Sequence, residues 1–404
     1  MLWKIEAPRG SARGRRLAVV GSLFLVSDIG YSFLLAALAT ILLQRGVALE
    51  TVGLINLLGT IYFARFLVGP LVDRFGHYRR WLISTQVVLV LAFCTLSVLD
   101  PVGDLPTVLA VVTVLLVVSA VHDTALGGLS VRLLPPAERG TGNGVQAAAA
   151  VASIFIGGGG ALLLYAYAGW TVTTLVVASV FTVPLAVLAR FTEPVPPQDA
   201  VRGRGAGWRD LLAVLRVPRT ALWALAVIPC FVVGIFVVNA VQTAMLLAAG
   251  WSVDRIAFVQ YTLAVVAGMA TGVGTGVAIS RWGRRRTVVV IGVGIVVAVA
   301  AHLPLAGGDG GPLAAIAVVL ATAVYCAQAT WIYTVCMDLS RGSAAATDFT
   351  VQTSVSGFVR MVTTGPALVL AGQIGYPWLI TGALGLALAG AVVTAAWART
   401  HTVP

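Results

Sequence analysis

Charged residues are scarce in this chain, and acidic residues are the scarcest of them. Of the 404 residues, 15 are Asp or Glu and 26 are Lys or Arg, so 10% are charged. A soluble domain carries about 25% charged residues. Hydrophobic residues make up 59% of the sequence, and the mean hydropathy is +0.97. This composition excludes an ordinary soluble domain and predicts a membrane protein.

Cysteines are few, and the common catalytic motifs are missing from the sequence. The four cysteines all fall in apolar stretches without the spacing of metal ligands, so we expect them to be packing residues: Cys94, Cys230, Cys326 and Cys336. No G-x-S-x-G or H-E-x-x-H motif occurs, and the acidic residues are too scattered to define a catalytic pair. The sequence therefore predicts a protein that is not an enzyme and that uses no metal and no cofactor.

Long apolar runs, in contrast, fill most of the chain. We count twelve, each close to or above the ~20 residues that span a hydrocarbon core. Lipid offers no partner for backbone polar groups, so these runs are predicted to be helices. They lie at 17–43, 51–72, 81–99, 105–134, 143–168, 171–191, 219–249, 254–280, 287–305, 312–340, 348–372 and 377–398. The predicted fold class is an all-α membrane protein with twelve transmembrane helices.

A repeat at half the chain length divides these helices into two sets of six. The stretch GPLVDRFGHYRRWL begins at Gly69, and GVAISRWGRRRTV begins at Gly276, 207 residues later. A second pair, Gln146 and Gln352, is 206 residues apart. Such a repeat predicts two pseudo-symmetric six-helix bundles. Their expected bounds are 1–191 and 219–404, joined by a linker rich in Pro, Gly and Arg at 192–218.

The basic residues predict how the chain lies in the membrane. Most of the 26 Lys and Arg fall on one side of the proposed topology, which by the positive-inside rule is the cytoplasm and holds both termini. This distribution argues against nucleic-acid binding. Residues 1–16 are basic, but the apolar run that follows is too long for a signal peptide, so we expect a retained first helix. The predicted location is the bacterial cytoplasmic membrane.

Four polar residues inside apolar runs are candidates for a functional site. Asp28 lies about 16 Å into the first run at 1.5 Å per residue, with Tyr31 on the same helix face. A carboxylate at that depth costs about 2.5–3.5 kcal/mol and usually faces a cavity or a partner. Arg65 and Arg360 also lie inside predicted helices, and a guanidinium suits an anionic substrate. The alternative for Asp28 is a pairing that serves folding alone.

The fourth run carries the adjacent residues His122 and Asp123. Adjacent residues point about 100° apart on a helix, so the two cannot simply pair with each other. Either side chain could carry a proton, and the alternative is a polar pair that bridges to neighbouring helices. Four further residues are suited to contact a bound ligand, and a place in the lipid-facing aromatic belt is the equal alternative for Trp331: Asn239, Gln242, Gln328 and Trp331.

The two basic hairpins are predicted to form a gate. Asp73 stands at a helix end, where it can bind arginines or a neighbouring helix N-terminus in one conformation and release them in another. The second copy has Ser280 in place of Asp73, so the acidic contact is expected to be asymmetric. The predicted gate residues are Asp73, Arg74, Gly76, Arg80, Arg281 and Gly283.

The first hairpin resembles the signature of the major facilitator superfamily between its second and third helices. Three segments narrow the resemblance to AmpG-like permeases, with the greatest likeness to siderophore importers of the RhtX/FptX kind. They are FARFLVGPLVDRFGHYRRWLISTQ, HDTALGGLSVRLLPPAERGTGNGVQ and MDLSRGSAAATDFTVQTS. In the fourth helix the family pattern reads Q-D-x-A-x-D-G-L. This chain has His122 for the Gln and Gly127 for the second Asp, so Asp123 alone inherits the acidic role.

The resemblance implies inward transport of siderophores or cell-wall muropeptides, with helices 1, 4, 7 and 10 around a central cavity. At this length there is no room for the two extra helices of longer muropeptide permeases, which favours the siderophore branch. We therefore expect a monomeric, proton-coupled importer of a siderophore-like, carboxylate-bearing molecule, with or without its metal, working by alternating access. Arg65 and Arg360 would bind the anion, and Asp28, His122 or Asp123 would carry the proton. The alternatives are an exporter of a drug or metabolite, a muropeptide permease and a non-transporting sensor.

Overall fold

The computed structural model describes residues 9–75, 77–193, 208 and 211–401, and within these residues all regular structure is helical. Most of the predicted linker 192–218 lies outside the described residues, as does Gly76. The predicted bounds of the two bundles therefore stay predictions. We call 9–193 the N-terminal half and 211–401 the C-terminal half.

Glycines divide the longest helical stretches into membrane-length segments. Nine stretches of the described chain are long and apolar enough to cross a membrane, and a pair of helices bent by 46° within 49–75 adds a tenth. Two of the nine have 52 and 54 residues, and each is broken by a glycine with positive φ, Gly169 at 74° and Gly283 at 78°. Glycine adopts this conformation without the clash that a Cβ would cause. Divided at these corners, the described residues hold twelve segments, as the apolar runs predict.

We number the segments in chain order. They are α1 (Ala12–Gln44), α2 (Leu49–Leu67 with Gly69–Phe75), α3 (Tyr78–Ser97), α4 (Leu105–Leu133), α5 (139–168), α6 (170–190), α7 (Pro218–Ala248), α8 (253–282), α9 (284–306), α10 (Pro312–Leu339), α11 (Gly342–Ile374) and α12 (Tyr376–His401). Gly283, predicted as a gate residue, is the corner between α8 and α9.

The two halves meet through four helix pairings. In the N-terminal half, α2 and α4 pack against α11, and α5 packs against α8 and α10. Since α8 repeats α2 and α11 repeats α5, the α2–α11 and α5–α8 contacts are related by the internal repeat. The site that these pairings enclose therefore receives side chains from both halves.

The halves are pressed together at one end, which we call the arginine-rich end because it holds Arg74, Arg80 and Arg281. A Cβ added to Gly69 of α2 would lie 2.7 Å from the Cα of Thr347 in α11. One added to Gly276 of α8 would lie 2.5 Å from the carbonyl oxygen of Gly140 in α5. Contacts this close exclude any larger residue and show that the backbones touch. The start of α1 and the end of α12 lie at the same end, through the Arg16–Glu138 and Arg219–His401 contacts.

Further along these helices the halves separate. Gly157 in α5 packs on α1, and Gly268 in α8 packs on α10, each within its own half. Gly53 in α2 and Gly365 in α11 have no atom within 4 Å of an added Cβ. The described chain is therefore closed at the arginine-rich end and open at the opposite end, which we call the open end.

Candidate functional site

The first helix of the site is interrupted where it carries Asp28. Residues 25–28 leave the α-helical form, and the backbone amide of Asp28 donates instead to Oγ of Ser153 in α5, at 2.9 Å. The backbone carbonyl of Asp28 accepts from Oγ of Ser32 at 2.8 Å. Broken helices at mid-membrane depth are typical of transporter binding sites, because they expose backbone groups and side chains to a cavity.

The second helix is also irregular, at Arg65. Residues Ala64–Leu67 form a 3₁₀ turn, and the backbone carbonyl of Arg65 accepts from Oγ1 of Thr124 at 3.2 Å. A 3₁₀ stretch inside a longer helix often marks a hinge. This local geometry presents the Arg65 guanidinium to α4.

Asp28, Tyr62, Arg65 and Asp123 form one connected cluster, which we call the polar cluster. Nη1 of Arg65 donates to Oδ2 of Asp123 at 2.9 Å. Oη of Tyr62 lies 3.0 Å from Oδ1 of Asp28 and also hydrogen-bonds Oδ2 of Asp123. Tyr31 stacks on Tyr62, with ring centroids 5.2 Å apart. Three helices of the N-terminal half thus converge on one ion pair.

The phenol of Tyr62 connects the two acids. A phenol has one hydrogen to donate, and Oη of Tyr62 contacts oxygens of both Asp28 and Asp123. The two carboxyl groups therefore meet at one phenol, beside the guanidinium of Arg65.

The C-terminal half adds a second cation and two tyrosines. Arg360 of α11 is exposed and lies within electrostatic range of Tyr325 of α10 and of Asp28 and Tyr31. Tyr333, two helical turns after Tyr325, is within the same range of Arg65. The two arginines predicted to bind an anion therefore face one region from opposite halves, and Arg360 is the more exposed of the two.

The other residues predicted to contact substrate lie in different surroundings. His122 is buried with its Nε2 3.2 Å from Nε2 of Gln86 in α3, so it faces away from the polar cluster. Gln242 is buried against His302, at 3.1 Å. Asn239 is exposed one helical turn beyond Phe236, whose ring contacts Tyr325. The substrate and proton roles predicted for these three residues stay predictions.

Gln328 and Trp331 hold helices together in this conformation. Nε2 of Gln328 donates to the carbonyl oxygen of Phe231 in α7 at 2.7 Å. Nε1 of Trp331 donates to the carbonyl oxygen of Arg284 at 3.0 Å, and its ring is fully buried. Packing explains both contacts, and the substrate roles predicted for these residues likewise stay predictions.

At the arginine-rich end, Asp73 caps α11. Its carboxylate accepts from the backbone amides of Ala346 and Thr347 at 3.1 and 2.8 Å, from Oγ1 of Thr347 at 2.7 Å and from Oη of Tyr78 at 2.5 Å. This is the helix N-terminus contact that the sequence predicts for one of two conformations. Among the other predicted gate residues, Arg74, Arg80 and Arg281 are exposed.

Sequence reasoning missed two parts of this arrangement. Tyr62 lies in the predicted run 51–72 and received no role, although a tyrosine three residues before an intramembrane arginine is a weak sign of a shared partner. Sequence reasoning also missed Asp338, which pairs across the halves with Arg139 at 2.9 Å and within its own half with Arg284 at 3.0 Å. The partners of Asp338 are 199 and 54 residues away, so no local pattern shows them.

Comparisons with known proteins agree with this fold. The model of the Major Facilitator Superfamily matches residues 20–364. The chain is 25% identical over 269 residues to the anhydromuropeptide permease of Escherichia coli K12, which is 62% of this chain and 52% of that protein. It thus spans about half the length of this curated relative.

Two solved structures share the fold at low sequence identity. The human organic anion transporter MFSD10 superposes with a TM-score of 0.76 at 15% identity, covering 96% of this chain and 100% of that one. The E. coli fucose:proton symporter FucP gives 0.71 at 15% identity, covering 96% and 98%. At 15% identity, these structures support the fold and nothing more specific.

Proposed function

The chain belongs to the major facilitator superfamily, and from that premise we propose that it is a proton-coupled secondary transporter of a small, carboxylate-bearing organic anion. The observation that carries the proposal is the polar cluster. In it the Arg65 guanidinium is held by Asp123, and Tyr62 connects Asp123 to Asp28. Coupled anion transport requires a cation whose acidic partner can be neutralised by one proton, and the half-buried Arg65 with Asp123 supplies that pair.

Proton binding and anion binding are linked through Arg65. While Asp123 is ionised it occupies the guanidinium and keeps a substrate carboxylate away. When Asp123 takes up a proton, its hold on Arg65 weakens, and the guanidinium can bind a substrate carboxylate in the bidentate manner that arginine favours. Arg360 would meet the anion first, since it is the more exposed of the two arginines. Proton and anion then cross together.

The closed end supports an alternating-access cycle. The arginine-rich end is sealed by the Gly69–Thr347 and Gly276–Gly140 contacts. By the positive-inside rule it would be the cytoplasmic end. The open end would then face outward, so this conformation would receive substrate from outside. A proton gradient directed inward would make import the favoured direction. The exporter alternative requires the same cycle to run with the opposite gradient of substrate.

Two substrate classes fit a carboxylate bound between Arg65 and Arg360. The sequence segments favour a siderophore-like molecule, and we keep it as the first candidate. An anhydromuropeptide is the second, supported by the 25% identity to the E. coli anhydromuropeptide permease. Both carry carboxylates, and the tyrosines around Arg360 would accept a sugar or an aromatic ring by stacking.

Uptake into proteoliposomes tests the proposal directly. Labelled ferric siderophores and a labelled anhydromuropeptide are offered at inward, zero and reversed proton gradients. We expect accumulation of one class under the inward gradient, collapse by an uncoupler and loss in Arg360→Gln. Arg45→Gln is the matched control, because Arg45 is an exposed arginine that pairs with Asp100 and lies outside the site.

The pattern of results separates the alternatives. Uptake of the muropeptide alone would make the second substrate the function. Efflux of a compound without uptake of it would support the exporter. Uptake that ignores the proton gradient, or that survives in Arg360→Gln as it does in Arg45→Gln, would contradict the coupled anion site.

A further inference from the structure

The break in α1 frees the backbone amide of Asp28. In a regular α-helix that amide would donate to the carbonyl oxygen of Phe24, four residues earlier. Here the Phe24 oxygen accepts from both the backbone amide and Oγ of Ser27, at 3.3 and 3.0 Å. A carbonyl oxygen has two lone pairs, so both are in use. The Asp28 amide therefore needs an acceptor outside α1.

Ser153 of α5 supplies that acceptor. Its Oγ lies 2.9 Å from the backbone nitrogen of Asp28, and its side chain is fully buried. On the other side of the residue, Oγ of Ser32 donates to the carbonyl oxygen of Asp28 at 2.8 Å. A buried amide without a partner is costly. The broken form of α1 therefore depends on the Ser153 hydroxyl group.

Close packing keeps Ser153 within reach of α1. A Cβ added to Gly157, one turn further along α5, would lie 2.4 Å from the carbonyl oxygen of Ile29 and 2.4 Å from Oγ of Ser32. On the opposite side of α1, a Cβ added to Gly30 would lie 2.7 Å from Oγ of Ser119 in α4, the helix that carries the second acid. The broken segment is thus fixed between α5 and α4.

We propose that Ser153 is a positioning residue of the polar cluster: by holding the Asp28 amide it keeps α1 broken and keeps the Asp28 carboxyl group against Tyr62. The inference rests on the proposed proton coupling, since this contact joins Asp28 to the second acid through one phenol. The amides of Val26 and Ser27 bond three residues back, as in a 3₁₀ turn. Such a turn rotates more per residue than an α-helix, so a return to α-helix would swing the Asp28 side chain around α1.

The surroundings of Asp28 make its protonation sensitive to its position. Both cations and other acids lie within electrostatic range of its carboxyl group. These charged and titratable neighbours are Tyr31 of α1, Tyr62 and Arg65 of α2, Asp123 of α4, Tyr325 and Tyr333 of α10, and Arg360 of α11. A displaced carboxyl group therefore titrates at a different pH.

Nuclear magnetic resonance of the purified protein tests the positioning role without any transport assay. Ser27–Asp28 is the only Ser-Asp pair in the sequence, so isotopic labelling of serine carbonyl carbons together with aspartate nitrogens selects the Asp28 amide alone. In Ser153→Ala we expect this signal to move, because the amide loses its acceptor. Ser97→Ala is the matched control, since Ser97 is also buried but its Oγ donates to the carbonyl oxygen of Cys94 in its own helix. A signal that stays in place in Ser153→Ala overturns the inference.

A pH titration of the same signal tests whether Ser153 acts through Tyr62. The Asp28 amide senses the protonation of its own carboxyl group, so the titration midpoint reports on that group. Ser153→Ala should shift the midpoint in the same direction as Tyr62→Phe, because both variants break the contact between the phenol and the acid. Added to Tyr62→Phe, Ser153→Ala should cause a smaller shift than it does in the wild type. An equal shift in both backgrounds, or no shift, would show that the hydroxyl group serves packing alone.

Proton-driven uptake then tests the consequence for transport. With the labelled ferric siderophore or anhydromuropeptide that the wild type accumulates, we expect the maximal rate to fall about tenfold in Ser153→Ala, since a displacement of about 1 Å can cost up to about 100-fold. The half-saturating concentration should stay near the wild-type value, because both arginines remain. A raised half-saturating concentration at an unchanged maximal rate would make Ser153 a substrate contact and overturn the inference. A wild type that moves substrate without protons would refute the proposed function, while the resonance experiments would still decide whether Ser153 positions Asp28.

Discussion

The halves meet at the arginine-rich end through two matched contacts of unequal strength. In the first, Asp73 at the end of α2 accepts three hydrogen bonds from Ala346 and Thr347 at the start of α11. In the second, Oγ of Ser280 at the end of α8 lies 3.0 Å from Oγ1 of Thr141 at the start of α5. Ser280 follows Asp73 by 207 positions, and Thr347 follows Thr141 by 206, so the two contacts are copies of one original.

The copies differ in charge, and the protein compensates for the difference elsewhere. A carboxylate at a helix N-terminus gains from the helix dipole and from charge-assisted hydrogen bonds, whereas a hydroxyl gains little. At the weaker contact the missing charge is supplied by Asp338 of α10, which binds Arg139 of the N-terminal half and Arg284 of its own half. One contact is a buried carboxylate, and the other is a partly exposed ion cluster.

The same asymmetry appears at the polar cluster. Arg65 and Asp123 correspond by the repeat to Gly272 and Ala329. Gly272 packs against α5, where an added Cβ would lie 3.1 Å from that of Ala147. Both copies therefore use these positions for helix packing. The charged residues Arg65 and Asp123 occur only in the N-terminal copy. The first half would couple the proton, and the second would mainly shape the pathway.

The largest effect is expected when the charge asymmetry of the site is removed. Asp123→Asn resembles a permanently protonated Asp123, so Arg65 stays available and no proton is exchanged. Proton-driven accumulation should fall about 100-fold, as for loss of a proton-transfer group, while exchange at equal pH persists. Asp254→Asn, an exposed site in α8, is the control. If proton-driven accumulation persists in Asp123→Asn, the coupling role would pass to Asp28. The contrast between Asp123 and its repeat partner Ala329 would then have no bearing on coupling.

Removing the stronger of the two gate contacts comes next. In Asp73→Asn the α11 N-terminus loses its charged cap, which at a partly buried helix end is worth up to about 2 kcal/mol, or roughly 30-fold in a population. We expect the arginine-rich end to open more often. Spin labels at the exposed positions Ala137 and Arg281, in a cysteine-free background, would report a longer distance. An unchanged distance distribution would mean that Asp73 serves folding and not the gate.

A smaller opening is expected in Asp338→Asn. Asp338 is 16% exposed, so its ion pairs are partly screened, and we expect about 1 kcal/mol from their loss. With the same pair of labels, the increase in label distance caused by Asp338→Asn should shrink as salt rises to about 1 M. The increase caused by Asp73→Asn should not depend on salt, because Asp73 is only 5% exposed. Equal salt dependence in both variants would contradict the assignment of Asp73 to a buried contact and of Asp338 to a partly exposed one.

Much of this architecture is predictable from the sequence, because its causes are local or periodic. Apolar runs of membrane length give the twelve segments, and the spacing of the Gly69 and Gly276 hairpins gives the repeat. Asp73 at a helix end, with a serine in the second copy, is enough to predict two unequal contacts between the halves. In lipid the backbone polar groups must bond within their own segment, which makes each spanning segment a helix. The length and spacing of the apolar runs therefore determine most of the fold.

The site is less predictable, because helix rotation decides which polar residues meet. His122 and Asp123 are neighbours in sequence, yet one faces Gln86 in α3 and the other faces Arg65 in α2. Burial of Trp331 against Arg284, and the pairing of Asp338 with Arg139, likewise depend on contacts between distant segments. The sequence identifies such polar residues as candidates, but the packing of the helices determines which of them come into contact.

The smallest effect is expected from restoring symmetry to the gate. Ser280→Asp copies the Asp73 residue type into the second contact, where the first turn of α5 and the Thr141 hydroxyl can donate to a carboxylate. Glu138 and Asp338 stand near this end of the bundle and repel a further negative charge, so we expect a net gain of at most about 1 kcal/mol. The arginine-rich end should stay closed longer, and uptake should slow by a few fold at most. In the double variant with Asp73→Asn, the label distance should return part of the way to the wild-type value. A longer distance in Ser280→Asp alone would show that repulsion exceeds the new hydrogen bonds, and that the serine is there to limit the charge on this side.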